Sequence, residues 1–484
     1  MSKAMAILEQ LERKGVVATR LSSDSRCVQS GDVFVAFPGA RADGRDFIAQ
    51  AVAKGAAAVI AEEGRKVGAG DTAIVEVAGL AALSGEIAHL VYGRPSEHLW
   101  LVGITGTNGK TSVSQWIAQA MNSLKHPSAM IGTLGNGFLD ALDASPNTTP
   151  DAITLHAALA GFVKRGADAC AIEVSSIGLD QGRINGAVFA VAVFTNLTRD
   201  HLEYHGSMAA YAAAKEQLFL VPGLDAAVLN LDDPLGLKLA MKLKGSLRTI
   251  GYTLGAADAS CVDEILRAEN LRMGAAGIEF DLRGVHFVAP VVGRFNVANL
   301  LAVTGALLAR KERMEDIAVA LRGIRPPPGR MQALGGRDEP LVVVDYAHTP
   351  DALEKALGVL RETATVRGGR LFCVFGCGGE RDPGKRPQMG AIADALADGV
   401  VLTSDNPRGE NPQAIIDAIR GGMQRPPQIQ PDRAQAIAGA IAAADARDVI
   451  LLAGKGHEPY QEIAGVRLPF SDLEAAKSAL EVRR

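Results

Sequence analysis

The residues best suited to chemistry form one short segment, Gly106-Thr107-Asn108-Gly109-Lys110-Thr111-Ser112. A continuous apolar run, Leu99 to Ile104, precedes it, and a helical pattern follows through Asn122. Strand, glycine loop and helix in this order make a triphosphate cradle: backbone N–H groups approach the phosphates, a lysine faces the β/γ charge, and a hydroxyl is available to a metal. The loop is a compact relative of the usual one, whose spacing would put glycine at position 104, where this chain has Ile. An ordinary glycine-lysine turn is the competing reading, and the flanking strand and helix argue against it.

Further polar groups stand at the ends of apolar runs. Glu173-Val-Ser-Ser176 follows one run, and Asn196-Leu-Thr-Arg-Asp-His201 follows another. A carboxylate at such a sheet edge can hold Mg²⁺ through oxygen. Glu173 is the first candidate and Asp200 or His201 a weaker one, against solvated or capping roles. Lys215, in Tyr211-Ala-Ala-Ala-Lys-Glu216, reads from spacing alone as a surface lysine on a helix. Towards the C-terminus four strand-like runs each lead into an unusual polar cluster: Asp345-Tyr-Ala-His-Thr-Pro-Asp351, Gly376-Cys-Gly-Gly-Glu-Arg-Asp382, Asp405-Asn-Pro-Arg408 and Gly454-Lys-Gly-His-Glu458. Open α/β sheets bind ligands beyond the carboxyl ends of their strands. Arg381 and Arg408 can each grip a carboxylate with two prongs, while Glu458 can accept from an ammonium. Together they describe an amino-acid pocket; surface ion pairs, the alternative, do not explain why each cluster follows a buried strand.

Three regions position these groups. The first, to about Pro95, holds the strand-like Asp32 to Phe37, a Gly/Ala/Arg-rich turn and alanine-rich helical patterns. The second runs from the strand before the glycine loop to Pro326-Pro-Pro-Gly-Arg330, with buried strands at Ala169 to Val174, Ala187 to Asn196 and Ala226 to Asn230, so a largely parallel sheet is expected. The third carries the four strand-plus-cluster units. A chain of 484 residues with 48% apolar and 21% charged residues is long enough for several domains. A net charge of -4 without a basic block gives no support to nucleic-acid or anionic-membrane partners. Met1 to Val17 reads as an amphipathic helix without the apolar core of a signal peptide, and no run reaches the roughly 18 apolar residues of a membrane span, so a cytoplasmic location is expected. Cysteines 27, 170, 261, 373 and 377 are scattered and odd in number, which predicts reduced thiols, with Cys373 and Cys377 packed rather than metal-bound.

These motifs resemble the Mur ligase family over essentially the whole length, through Gly106 to Thr111, Asn147-Thr-Thr149, Glu173 to Ser176, Asp200-His-Leu-Glu-Tyr-His-Gly206, Asp345 to His348 and Asp405 to Arg408. The resemblance implies an α/β protein of three domains. These would be a small N-terminal uridine-nucleotide domain at 1–98, a central ATP-binding P-loop domain with a largely parallel sheet at 99–328, and a C-terminal Rossmann-like, amino-acid-binding domain at 329–484. It is similar in particular to members that add meso-diaminopimelate to UDP-N-acetylmuramoyl-L-alanyl-D-glutamate with ATP and Mg²⁺. In that case Ser23, Ser25, the Ala40, Arg41 and Ala42 turn, Asn147, Thr148, Thr149, Ser175, Gln181 and Arg183 would contact the UDP-muramoyl-dipeptide. Asn296, Arg330, Asp345 and His348 would join the glycine loop around ATP. Arg381, Asp405, Asn406, Pro407, Arg408, Gly454 and Glu458 would hold diaminopimelate. Lys110, Glu173, His201 and Lys215 would be the catalytic set, and Thr111, Glu173 and Lys215 would hold metal, Lys215 as a CO₂-derived carbamate. The family commonly has histidine after the paired serines, where this chain has Ile177.

The resemblance implies an acyl phosphate on the D-glutamate γ-carboxylate, attacked by the diaminopimelate amine, with ADP and phosphate released in the synthesis of a peptidoglycan precursor. Arg408 favours diaminopimelate over L-lysine, because a desolvated arginine without its carboxylate penalises lysine. The same ligation with L-lysine, or a folylpolyglutamate-type ligase sharing the phosphate loop, is the alternative. Small-molecule partners and a monomer are expected, with closure of the third region on hinges near residues 98 and 328.

Overall fold

The computed structural model describes residues 2–39, 42–65, 68, 70–274, 277–336 and 338–483. Runs of alternating or continuous apolar residues become parallel strands covered by helices, in three sheets that follow one another along the chain. The first sheet is four-stranded and parallel, in the order Leu21–Ser22, Val33–Ala36, Ala58–Glu62, Ala73–Val77. Its helices include Lys3–Arg13 and Leu80–Val91.

The second sheet has nine strands. Seven are parallel, in the order Glu264–Arg267, Arg248–Thr253, Ala226–Asn230, Val191–Phe194, Trp100–Thr105, Ala169–Glu173, Ser128–Gly132. Gly135–Phe138 and Ala141–Asp143 extend it antiparallel beyond Ser128–Gly132. Successive side chains of a strand point to opposite faces. Val102, Ile104, Val191 and Val193 therefore join one core with Trp116 and Leu300, while Leu101, Ile172, Ala192 and Phe194 join the other with Leu155 and Phe189. An antiparallel three-stranded sheet, Glu269–Gly274, Gly277–Leu282 and Val285–Ala289, packs onto the first of these cores through Phe280 and Phe287. In Gly277–Leu282 the buried Ile278, Phe280 and Leu282 alternate with more exposed residues, the period-two pattern of a strand with one covered face.

The third sheet has six strands in the order Gln332–Gly335, Leu341–Asp345, Val449–Ala453, Leu371–Phe375, Gly399–Leu402, Gln428–Ile429, parallel except for the first. The four runs picked out by their polar endings are its four central strands, so all four clusters emerge along one edge. Cys373 and Cys377 are buried in its core. A hairpin, Tyr460–Ile463 and Val466–Pro469, stands apart and bridges to Arg408 through its backbone. Among the described residues no helix is long and apolar enough to cross a membrane.

The first two units meet along an unusually close seam. A Cβ added at Gly85 would lie 2.0 Å from the Asn185 carbonyl oxygen, and one at Gly186 would lie 2.6 Å from the Gly85 carbonyl oxygen, so only glycine fits at either place. Beside it the His89 and His156 rings meet edge to face at 5.2 Å, His156 pairs with the Asn185 carbonyl at 3.0 Å, and Ile153 joins the core of the first unit.

Candidate active site

Strand Trp100–Thr105 delivers the phosphate loop, and helix Lys110–Ser123 starts on its lysine. Lys110 curls back so that Nζ donates to the Gly106 and Thr107 carbonyls at 2.8 and 2.9 Å. Burial lowers its pKa, and Glu173 and Asp200 oppose that shift. Glu173, fully buried at the end of the neighbouring strand, accepts from Thr111 Oγ1 at 2.9 Å, from the Thr133 N–H at 2.9 Å and from Thr133 Oγ1 at 3.2 Å. A Cβ at Gly132 would fall 2.2 Å from Glu173 Oε1, so the carboxylate reaches its place because that strand ends on glycine. Thr133 Oγ1 also meets Thr148 Oγ1 at 3.1 Å. One carboxylate thus joins the phosphate loop to the segment carrying Asn147, Thr148 and Thr149.

That segment is tied to the turn after the Glu173 strand. Thr149 Oγ1 donates to the Glu173 carbonyl at 2.9 Å, and Ser175 N donates to Thr149 Oγ1 at 3.0 Å. Ser175 caps the short helix Ser176–Asp180. Arg183 donates to the Thr149 carbonyl at 2.7 Å and to Gln181 Oε1 at 3.0 and 2.7 Å. Asn147 contributes its carbonyl to Ser145 Oγ at 2.8 Å. Ile177 is half-buried, and the adjacent Ser176 hydroxyl pairs with His205 Nε2 at 2.9 Å.

Lys215 is not the surface lysine that its spacing suggests. It lies on helix Met208–Glu216 at 1% exposure, donates to the Gly106 carbonyl at 2.9 Å and sits 4.3 Å from the centre of the Tyr211 ring. No carboxylate stands within salt-bridge distance of it among the described residues. Burial, reinforced by Lys110 and opposed by Asp200, pushes its pKa well below the usual amine value. Asp200 behaves oppositely: burial raises it, but His348 at 3.7 Å, His201 at 3.5 Å and Lys385 at 4.0 Å together hold it below the usual carboxylate range. His201 has φ 54°, which turns the chain into the next short helix, and its Nδ1 lies 3.7 Å from Glu203.

His348 and Lys385 belong to the third unit, and the contact between the two units is dense there. Arg199 grips Asp382 at 2.9 and 3.2 Å, Arg381 approaches Glu203 at 3.8 Å, and Asn108 of the phosphate loop donates to Asp351 at 2.8 Å. Arg330 donates to Thr111 Oγ1 at 3.3 Å while its guanidinium lies 4.5 Å from the Tyr346 ring centre. A cavity of about 800 Å³ opens between the units, lined by Gly109, Thr111, Ser112, Asn296, Asn299, Arg330 and Asp345 among others. Asp345 is buried, which raises its pKa against the pull of Arg330, and it accepts from the Met331 N–H at 2.8 Å. His348, expected with this group, does not line the cavity and faces Asp200 instead.

In the third unit, Asp405 and Asn406 are buried at the end of Gly399–Leu402, facing the loop after Val449–Ala453. Asn406 Nδ2 donates to Glu458 Oε2 at 2.8 Å. A Cβ at Gly454 would lie 2.4 Å from Asp405 Oδ2. Arg408, after Pro407, has φ 51° and donates to the Gly379 carbonyl at 2.7 Å, while Gly378 lies between it and Arg381. In the first unit Ser25 is buried and donates to Gln50 Oε1 at 2.7 Å, Ser23 is half-buried, and the Ala42 carbonyl accepts from Gly39 N at 2.9 Å. Ala40 and Arg41 lie outside the described residues.

Several residues of the site were not singled out by sequence reasoning. Asn299, one turn beyond Asn296, donates to its Oδ1 at 3.0 Å and lines the cavity; the i, i+3 spacing was its signal. Thr133 had none, since it follows a small-residue strand. Asp351, Lys385, Lys455 and His457 stood within or beside the polar clusters but carried no assignment.

Comparison with known proteins agrees with this geometry. The chain matches the family models Mur ligase family, catalytic domain, at 17–92, Mur ligase middle domain at 104–307, and Mur ligase, glutamate ligase domain, at 329–456. It is 52% identical over 482 residues, covering 98% of this chain and 97% of the relative, to the UDP-N-acetylmuramoyl-L-alanyl-D-glutamate–2,6-diaminopimelate ligase of Pseudomonas aeruginosa. A relative with the same name from Chromobacterium violaceum is 50% identical, covering 98% of this chain and 96% of its own. A solved structure named for that ligase superposes with TM-score 0.67 at 38% identity, covering 96% of this chain and 95% of the other. The MurF ligase from Thermotoga maritima, solved with ADP, shares the fold at TM-score 0.68 and 19% identity, covering 100% and 99% of the two chains. With all three units matched in order, and the phosphate loop, buried lysine and strand-end clusters in place, the chain belongs to the Mur ligase family.

Proposed function

We propose that this protein is an ATP-dependent ligase that joins an amine of meso-diaminopimelate to the D-glutamate γ-carboxylate of UDP-N-acetylmuramoyl-L-alanyl-D-glutamate, releasing ADP and phosphate. The observation that carries it is the position of Glu173, which binds the phosphate-loop Thr111 on one side and Thr133, partner of Thr148, on the other. Transfer of a γ-phosphoryl group to a carboxylate held beside Thr148 needs the two substrates to meet at such a point. The three units take separate tasks: residues 1–98 hold the uridine nucleotide, 99–328 hold ATP and the acceptor, and 329–484 deliver the amino acid.

Phosphoryl transfer is mostly positioning and electrostatic stabilisation. Lys110 lies within the loop, ready to exchange its two backbone carbonyl partners for phosphate oxygens. Asn296, Arg330 and Asp345 offer amide, cation and carboxylate to adenosine. The Glu173 carboxylate and Thr111 hydroxyl form a hard oxygen set of the kind Mg²⁺ takes. Bound there, Mg²⁺ supplies neutralisation of the phosphate charge. Lys215 fits a carbamate because its burial and lack of a carboxylate partner favour the neutral amine that reacts with CO₂. Arg381 and Arg408 take the two carboxylates of diaminopimelate and Glu458 an ammonium, so that a free amine faces the acyl phosphate. The third unit, closing over the second through Arg199 and Asp382, excludes water from that labile intermediate.

The test is phosphate release with the UDP-muramoyl-dipeptide as acceptor, comparing meso-diaminopimelate, L-lysine and no amine. Release that needs both the acceptor and diaminopimelate supports the proposal. Equal rates with lysine refute the specificity, and no release refutes the ligase.

A further inference from the structure

Lys455 is a fully buried cation that the mechanism above leaves without a task. It lies in the Gly454-Lys-Gly-His-Glu458 loop at 0% exposure. Its Nζ donates to Asn406 Oδ1 at 3.0 Å and to Glu458 Oε2 at 3.0 Å, and stands 5.6 Å from the Tyr460 ring centre. The three side chains form a closed triangle, because Asn406 Nδ2 donates to the same Glu458 Oε2 at 2.8 Å.

The triangle removes two freedoms. An asparagine amide can be turned over, exchanging its oxygen and nitrogen. Here Oδ1 accepts from both Lys455 Nζ and the Glu462 N–H, the latter at 3.0 Å, so the amide has one orientation and its N–H groups point towards Glu458. The Glu458 carboxylate in turn has Oε2 occupied by two donors, which leaves Oε1 as the oxygen offered to a ligand. Behind the triangle a second buried cation fixes the backbone: Arg433, paired with Asp472 at 2.6 and 2.7 Å, donates to the Ala453 carbonyl at 2.9 Å and the Ser404 carbonyl at 3.3 Å. Those carbonyls begin the two loops that carry Lys455 and Asn406.

We infer that Lys455 is a positioning residue for the amino-acid pocket, setting Asn406 and the Glu458 carboxylate to receive the ammonium of the incoming amino acid without contacting the reacting atoms. The inference rests on the proposed function. A half-buried carboxylate and a buried amide deprived of their cation lose a charge-assisted hydrogen bond each and are free to reorient. The effect falls on amino-acid binding and leaves phosphoryl transfer alone.

The experiment uses full-length Lys455→Met and Lys455→Gln beside the wild type. Each is assayed for KM and kcat with meso-diaminopimelate, for KM with ATP and with the UDP-muramoyl-dipeptide, and for hydroxamate formation when hydroxylamine replaces the amino acid. Hydroxylamine attacks the acyl phosphate carbon, forms the C–N bond of a hydroxamate and expels phosphate, so it reports the first half-reaction without needing the pocket. The expected result is a KM for diaminopimelate at least tenfold higher in Lys455→Met and less so in Lys455→Gln, which keeps a donor. Hydroxamate formation and both other KM values should stay within about threefold of wild type. A fall in hydroxamate formation parallel to the loss of ligation, or an unchanged KM for diaminopimelate in a folded Lys455→Met, would overturn the inference. Wild type that forms neither product would instead overturn the ligase reading, and the control separates the two failures.

Discussion

Replacing Glu173 by glutamine separates the architecture of the site from its chemistry. The carboxylate accepts three hydrogen bonds, from the Thr133 N–H, Thr133 Oγ1 and Thr111 Oγ1. Glutamine has the same shape, its oxygen can keep the Thr133 N–H, and its NH₂ would face two hydroxyls that can rotate to accept. The loss of stability is therefore expected to be about 1–2 kcal/mol, the difference between charged and neutral hydrogen bonds at one buried position. Catalysis should suffer far more. Removing the anion eliminates the carboxylate that faces the loop hydroxyl and would hold the proposed Mg²⁺, and a preorganised electrostatic contact of this kind is worth about 3–4 kcal/mol, or roughly 10²–10³ in kcat. The assay is acceptor- and diaminopimelate-dependent phosphate release across a Mg²⁺ titration, with thermal unfolding measured in parallel. Glu173→Gln turning over within tenfold of wild type at saturating Mg²⁺, while folded, would refute the role given to this carboxylate.

Three other outcomes follow from the same geometry. Arg408→Ala should raise the KM for meso-diaminopimelate by roughly 30- to 150-fold, the loss of about 2–3 kcal/mol for a charged contact, and should narrow the preference over L-lysine; parallel KM measurements with both amino acids check it, and an intact preference would contradict it. Lys215→Met should lose at least about 100-fold in activity yet melt no lower than wild type, since it replaces a buried amine with no carboxylate partner among the described residues by an apolar chain of similar length, and the Gly106 carbonyl it leaves keeps Lys110 Nζ as a donor; wild-type turnover should also fall in CO₂-depleted buffer and recover with bicarbonate. Burial lowers His156 from 6.5 to about 4, so the folded protein holds it neutral, and the stability this contributes is present above pH 6.5 and lost as pH falls through 4. His156→Gln, which can still donate to the Asn185 carbonyl, should remove up to about 3 kcal/mol of the drop in unfolding free energy between pH 7 and pH 4; urea titrations at the two pH values measure it, and an identical drop in the variant would show that other groups carry the acid sensitivity.

The phosphate loop and the four strand-end clusters were legible because a buried strand leaves a mark that polar residues interrupt: Leu341, Leu371, Val400 and Val449 each begin a run that ends in residues no core would accept. Burial of a single lysine leaves no such mark. In Tyr211-Ala-Ala-Ala-Lys215 the alanines are equally at home on a surface, and only the packing of this helix against the phosphate loop encloses the amine. Thr133 was hidden for a related reason, as its importance comes from the parallel pairing of Ser128–Gly132 with Ala169–Glu173, a contact between segments far apart in sequence. The antiparallel sheet of Glu269–Ala289 has polar residues alternating with Ile278, Phe280 and Leu282, a period-two pattern passed over beside the stronger parallel strands. His348, which the family resemblance groups with the nucleotide contacts, stands 3.7 Å from Asp200, a placement that comes from packing between two units and leaves no mark in the sequence.

The glycine seam between the first and second units makes the enzyme a ruler. Where Gly85 and Gly186 press backbone against backbone, there is no side chain to repack, and little slack between the unit proposed to hold the uridine end of the acceptor and the unit that carries the phosphate loop. An acceptor one amino acid shorter or longer would shift its terminal carboxylate by about 3.3–3.6 Å along the chain, more than the near-attack spacing of phosphoryl transfer tolerates. On the proposed function, two glycines remote from the chemistry would thereby make the length of the peptide, as well as the identity of its last residue, a condition of reaction.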